Sequence, residues 1–460
     1  MKTLRSAFLL VPLLIFSLPG CSDKIADAPE PARHFVGVER TDLHHKLLVK
    51  YLRLERERIP SGWEIGICTW DGVVSGTGIW DADSGTVITV YGADEESPQF
   101  YAGQYFDARL WDPENGREFY ADVTVKLGPE VWSANGFSEV SIDGYNIREQ
   151  RVQLTAGWNL VSINIMPLKT MFRRIEGPDV MRMTSQMGVG AESNLALFIT
   201  ERGLFYVPSR DYNGIPYWNL TEGYKLNVKE PFECVWVGRE LSYNENNIVL
   251  ARGWNMVAYL KEYPLSCDSL GFRAISYHRS TTEIEIAKDE AGRFAIPSYN
   301  FSNMIPWREG KGYQINVSEE ITYWHYPDSE DVAPTINILD TLSIFGPWTM
   351  PKSTGSNMSV LVNEFRGVVP VNGDAVAAFS SRNRLVGLGH VGAGRAGLAV
   401  WGDDEATNAV DGLSSGESFM LKYWKASSNE IDTIYTSTIS GDGTRYVSDG
   451  FSILLALIQP

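Results

Sequence analysis

Apolar and polar positions alternate along most of this chain in short runs, and the runs are cut by Gly, Pro, Asn or Asp. Such a pattern predicts β-strands with one covered face rather than amphipathic helices, whose apolar positions recur every three or four residues. In LTAGWNLVSINIMP, Leu154 to Pro167, Leu160 and Ser162 fall on one face of an extended segment and Val161 and Ile163 on the other. Gly157 can take a positive φ without cost and Asn159 can hydrogen-bond a turn backbone, so this stretch reads as a turn feeding a strand. GWEIGICTW, Gly62 to Trp70, reads as an apolar strand with Cys68 in the core. HKLLVKYLRLERERIP, His45 to Pro60, has helix-forming residues, yet it aligns with MSVLVNEFRGVVPVNG, Met358 to Gly373, whose valines and short period look extended. Both are predicted as strands, and FSILLALIQP, Phe451 to Pro460, as the last strand of its own unit.

Two repetitions organise these elements. LTAGWNLVSINIMP returns as LARGWNMVAYLKEYP, Leu250 to Pro264, with Gly253, Trp254 and Asn255 in the same places. The order then repeats: RGLFYVPS and GRFAIPS, Ile215-Pro216 and Ile305-Pro306, GYKLNV and GYQINV, FECVWVG and EITYWHY. A tryptophan repeated in the same context is expected to fill the same core position twice, so Trp158 and Trp254 are read as structural. A weaker repetition brackets the first, with Gly62 against Gly373, Gly76 against Gly387, Gly92 against Gly402, Gly103 against Gly416, Trp111 against Trp424, and Gly136-Phe137 against Gly450-Phe451. The expected architecture is all-β: four tandem antiparallel sandwich-like or barrel-like modules in an A-B-B-A arrangement, over 42–145, 146–241, 242–328 and 336–460, with an acidic link at 329–335.

The first twenty residues depart from this pattern. Lys2 and Arg5 precede an apolar run from Ala7 to Phe16, which reads as an export signal over 1–20 and is short for a membrane span. Leu18-Pro19-Gly20-Cys21 resembles the lipobox of bacterial lipoproteins, in which the cysteine becomes the lipidated first residue; Pro19 departs from the small or aliphatic residue usual there. The resemblance implies Cys21 as a diacylglyceryl anchor, and Ser22 after it resembles the signal by which lipoproteins of Gram-negative bacteria proceed to the outer membrane. Two acyl chains suffice for stable anchoring where one does not. Simple secretion is the alternative. Residues 21–41 carry few large apolar side chains and read as a tether with a reach of roughly 25 Å.

Composition narrows the function more than it identifies it. A net charge of −17 and a pI near 4.9 argue against nucleic acid, or an anionic glycan, held by a broad basic face. Cys68, Cys234 and Cys267 form no CxxC and no zinc-ligand spacing; a disulfide between Cys234 and Cys267 and three buried thiols both fit. The six histidines are scattered, and there is no HExxH, GxSxG or P-loop. The chain is read as no enzyme, with a hydrolase of unrecognised site as the third alternative.

The inner copies resemble GWNLVS-type β modules, and the last unit resembles the GDxIGxF and WGDD-type modules of bacterial secreted and cell-surface proteins. Together the two likenesses cover nearly all of the chain after the tether. They imply display, adhesion or scaffolding at the cell envelope, with a membrane through the lipid anchor and a glycan or envelope protein as partners, and no nucleic acid. Carbohydrate binding through exposed aromatic rings is the alternative, with Tyr217, Trp218, Trp307, Tyr323 and Trp324 as candidate ligand residues. No cofactor is expected beyond a structural calcium, for which the acidic turns at Asp94, Glu95, Asp403 and Asp404 offer carboxylates. Solvated turns are the plainer reading of the same residues.

Overall fold

The computed structural model describes residues 34–36, 38–94, 97–188, 190–242, 245, 247–267, 272, 283–327, 345–404 and 407–459. Cys21, Glu95 and the link at 329–335 lie outside them. The fold is nearly all β, in several sheets.

The two outer units share one strand order. In the last, the strands Leu385–Gly392, Ala375–Ser380, Phe419–Lys425, Glu430–Gly441, Phe451–Ile458, Asn357–Arg366 and Arg395–Trp401 follow one another round a closed barrel. In the first, Val74–Ile79, Glu64–Cys68, Asp107–Asp112, Arg117–Leu127, Gly136–Tyr145, His44–Leu54 and Thr86–Tyr91 follow the same order, as an incomplete barrel in which the two end strands lie close without a hydrogen-bonded ladder between them among the described residues. Each unit joins its first and last strands in parallel and its other strands in antiparallel, and each interrupts its first strand with a bulge, at Val49/Tyr51 and Val362/Glu364. The aligned glycines mark a close approach of two strands. A Cβ on Gly76 would come within 2.6 Å of the Thr89 carbonyl oxygen, and one on Gly387 within 2.5 Å of that of Ala399. Inside, alternate residues such as Leu47, Val49, Ile65 and Ile67, or Val360, Val362, Val376 and Ala378, fill the cores.

The inner units also share one order. Gly157–Val161, Tyr224–Val228, Leu195–Ile199, Phe205–Val207 and Tyr212–Asn213 form a five-stranded sheet, matched by Gly253–Ala258, Gly312–Val317, Ile284–Lys288, Phe294–Ile296 and Phe301–Ser302. Gly157 and Gly253 have φ of 93° and 97°. The Asn159 side chain accepts from Thr155 N and donates to the carbonyls of Thr155 and Gly157; Asn255 does the same with Ala251 and Gly253. Two short helices, Val180–Gln186 and Ala191–Asn194, occur in the first copy, where the alternating pattern predicts none. The first of them begins where the Asp179 carboxylate accepts from Met181 N and Arg182 N.

The two inner units face each other across a pseudo-two-fold axis. Val161 bridges Lys311 while its equivalent Val257 bridges Glu222. Leu160 N donates to Glu290 Oε2 at 2.9 Å and Met256 N to Glu201 Oε2 at 2.8 Å. On the axis, a Cβ on Gly223 would lie 3.3 Å from Gly312 Cα, so only glycines let the two backbones meet. Each contact is made twice with the roles exchanged, as in an isologous dimer.

The outer units are fixed to this pair. Arg239 Nε donates to Asp122 Oδ2 at 2.9 Å and Arg182 Nη2 to Asp71 Oδ1 at 3.0 Å, which ties the first barrel to the first inner unit. The second inner unit shares a buried cluster with the last barrel, Ile286, Phe294 and Ile296 with Leu361 and Ile453. The expected tether also ends early: the His34 ring stacks on Trp111 at 3.7 Å and His34 N donates to Glu64, so the chain already lies on the first barrel there. Among the described residues no helix is long and apolar enough to cross a membrane.

Candidate functional site

All three candidate ligand tryptophans are core. Trp218, Trp307 and Trp324 are fully buried. Trp218 meets Phe198 edge-on at 5.1 Å and Trp236 at 5.6 Å, and Trp307 stacks on Tyr313 at 4.2 Å. Their irregular sequence context suggested edges, but each inner unit has a second sheet, Ile165–Pro167, Phe232–Glu240 and Arg148–Leu154 in the first and Ile248–Leu250 with Ile321–Trp324 in the second, whose Trp236 and Trp324 face Trp218 and Trp307. Tyr217 and Tyr323 remain half-buried. The signature tryptophans correct the opposite expectation: both are half-buried at the last barrel instead of in their own cores. Trp158 Nε1 donates to Asp404 Oδ2 at 3.0 Å, and the Trp254 ring carries the Lys288 ammonium 4.4 Å from its centroid.

The acidic turns tie loops together. Asp403 Oδ1 accepts from Asp411 N at 2.8 Å and Gly412 N at 3.3 Å, and the Asp411 N–H foremost holds its carboxyl below the usual range. Asp94 Oδ1 accepts from Ser97 N at 2.8 Å. The turns occupy equivalent places, since Gly92 bridges Phe100 and Gly402 bridges Leu413 in parallel. Among the described residues no group of three or more His, Cys, Asp or Glu is placed to hold a metal ion. Cys68, Cys234 and Cys267 are buried, and burial first of all pushes Cys68 and Cys234 up to about 12, which leaves those two as inert thiols.

Among the described residues, two sizeable concavities lie between units. The larger, of about 800 Å³, is lined by the hairpin residues Phe301–Asn303, by barrel residues between Leu388 and Trp401, and by Phe345 and Trp348. Its guanidinium groups are already bonded: Arg395 donates to the carbonyls of Tyr299 and Asn300 at 2.8 and 3.1 Å, and Arg293 to Asp289 at 2.7 Å. The smaller, of about 330 Å³, lies at the seam of the first barrel and first inner unit. There Trp70 and Tyr105 stand with centroids 5.6 Å apart and planes 18° from parallel. The Trp70 indole N–H is buried with no acceptor among the described residues. Lys169 sits 5.8 Å from the Trp70 ring centroid, Arg182 is anchored by the carbonyls of Thr170 and Phe172 and paired with Asp71, Arg173 on the rim pairs with Asp179 at 3.4 Å, and Arg174 is exposed beside it. This cationic corner stands out in a chain of net charge −17. The adjacent Arg173-Arg174 pair was its sequence signal, and Trp70, from a distant strand end, had none.

No protein-family model and no curated protein matches the chain. Among solved structures, the Bacillus anthracis TIE protein is 9% identical, with 91% of this chain and 50% of that one covered and a TM-score of 0.14. The chain thus spans about half the length of that protein. The major pilin subunit of Bacillus cereus is 9% identical, with coverage of 90% and 95% and a TM-score of 0.12. Overlap at this level assigns neither a fold nor a role.

Proposed function

We propose that the chain is a lipid-anchored arm of the bacterial envelope, held through Cys21, that displays loops and docks partners without chemistry of its own. The observation that carries this reading is the joining of four β units by hydrogen-bonded seams, buried where the second inner unit meets the last barrel, with the aromatic side chains spent largely on cores and seams. The lipobox likeness of Leu18 to Cys21 and the motif likeness to surface modules support it. The test is fractionation of cells carrying the native chain and a Cys21→Ser variant. Membrane retention that detergent alone releases, lost in the variant, supports the anchor; an unchanged distribution overturns it. Protease added to intact cells then tests display, and turnover in a hydrolase substrate panel would overturn the non-enzymatic reading.

A second reading, glycan binding, is favoured by the near-parallel, half-buried Trp70 and Tyr105 at the seam. Flanking cations select an acidic saccharide, such as one bearing uronate groups, since guanidinium groups pair well with carboxylates. Titration of folded protein with uronate-containing oligosaccharides supports this reading if Trp70→Ala and Arg174→Ala each weaken a saturable signal. Absence of saturable binding removes it.

A further inference from the structure

The second inner unit presents the hairpin Phe294–Ile296 and Phe301–Ser302 to the outer wall of the last barrel. Phe294 is fully buried there. The Phe301 ring lies so close to Gly397 that a Cβ on that glycine would sit 2.5 Å from its Cζ, and Asn303 Nδ2 donates to the Gly397 carbonyl at 3.1 Å. The pseudo-two-fold gives the first inner unit the same hairpin, Phe205–Val207 and Tyr212–Asn213. It has the same turn, with φ of 49° at Asp211 and 47° at Asn300. Phe205 and Tyr212 stand for Phe294 and Phe301, with their rings 5.1 Å apart. Here, however, they are 42% and 49% exposed, and Leu204 beside them is 41% exposed.

The other half of this contact is open as well. In the last barrel, Leu361 pairs with Gly397 and Ile453 to make the covered wall. At the same register in the first barrel, Leu48 pairs with Val87 and Glu139. Val87 is 58% exposed, and Phe137, the equivalent of Phe451, is 48% exposed. The ion pairs Arg239–Asp122 and Arg182–Asp71 hold the first barrel against its neighbour with this wall turned to solvent. The chain therefore contains one closed and one open copy of the same wall-and-hairpin interface.

We propose that a second copy of this chain closes the open one, the first-barrel wall of each copy covering the Phe205/Tyr212 hairpin of the other. The occupant follows from continuity: the pseudo-two-fold carries an interface the chain already makes onto a hairpin that lacks it, and the equivalent wall exists only in another copy. Reciprocal contact of this kind is isologous and closes at two. Lys46 and Glu139 where the closed copy has Ser359 and Ile453, and Tyr212 for Phe301, make the contact more polar than the internal one, and Val87 where the closed copy has Gly397 keeps the Tyr212 ring farther from the wall, so the contact is looser and more readily reversible. The inference stands on the internal contact and not on the proposed envelope role.

Sedimentation of the full chain in detergent, over a range of concentrations, should show a monomer–dimer equilibrium. Phe205→Asp with Tyr212→Asp, and separately Val87→Asp, should each weaken it at least ~30-fold. All three positions are exposed, and an unchanged melting profile at low concentration verifies that the variants fold. Copies carrying Val87→Cys mixed with copies carrying Tyr212→Cys should form a mixed disulfide that neither forms alone. A monomer at every concentration, or a dimer indifferent to these substitutions, overturns the proposal.

Discussion

The Lys288 ammonium, with no exposed surface, lies 2.5 Å from the Asp449 carboxylate across the seam between the second inner unit and the last barrel. Burial pushes Lys288 below its ordinary value. Burial opposes the charge on Asp449 too, but Lys288 and then Lys225 outweigh it and hold the carboxyl below the usual range. A buried pair of this kind is costly to halve, because the remaining charge keeps its desolvation without its partner. Lys288→Met should destabilise the chain by ~3–5 kcal/mol in urea denaturation. Asp449 has a φ of 57°, so the compensating change is Asp449→Asn, which tolerates that conformation. The double variant should recover much of the loss; a single variant as stable as the parent would show the seam to be dispensable.

Asp107 should make stability depend on pH near neutrality. Burial, and then the charge of Asp122, push its carboxyl up to about 7, while Lys169 and Arg109 partly offset them. The unfolded chain releases this proton near 3.8, so between roughly pH 4 and 7 the native state binds more protons and stability falls as pH rises. Asp107→Asn should flatten that slope and add ~2–4 kcal/mol above pH 7. Parallel pH profiles for the two proteins would refute the assignment.

Glu222→Lys should strengthen the pseudo-two-fold seam. On one side Lys311 Nζ lies 2.6 Å from Glu290 Oε1; on the other, the equivalent residues are Glu222 and Glu201. Glu201 is raised, chiefly by burial and also by Glu222. Restoring the opposite charge should add ~0.5–1 kcal/mol at low salt, with the gain fading at high salt. A loss, or a gain insensitive to salt, would count against it.

Asn159→Ala and Asn255→Ala should carry nearly the same penalty, ~1–3 kcal/mol each, because each side chain bonds its own turn with the same three backbone groups. Thermal melts that separate the two by more than the width of that range would break the equivalence.

These turns were legible in the sequence because their bonds are local: Gly157 and Asn159 act within five residues. The outer repeat was legible for a similar reason, since Gly76 and Gly387 mark backbone contacts that tolerate no side chain. Partners from distant parts of the chain were not. Nothing around Trp158 announces Asp404, and the short spacing after Ile215-Pro216 gave no sign that a second sheet would bury Trp218. Phe205 and Phe294 sit in matching stretches, yet one is exposed and the other covered, a difference decided by the last barrel and not by either neighbourhood.

The parallel pairing of His44–Leu54 with Gly136–Tyr145 has a mechanical consequence. The chain enters the first barrel at one end of this pair and leaves at the other. A pull between an anchor before His44 and a load beyond Tyr145 would slide the two strands lengthwise past each other. Their hydrogen bonds would then share the force together instead of opening one by one, and the first unit would resist such a pull in shear.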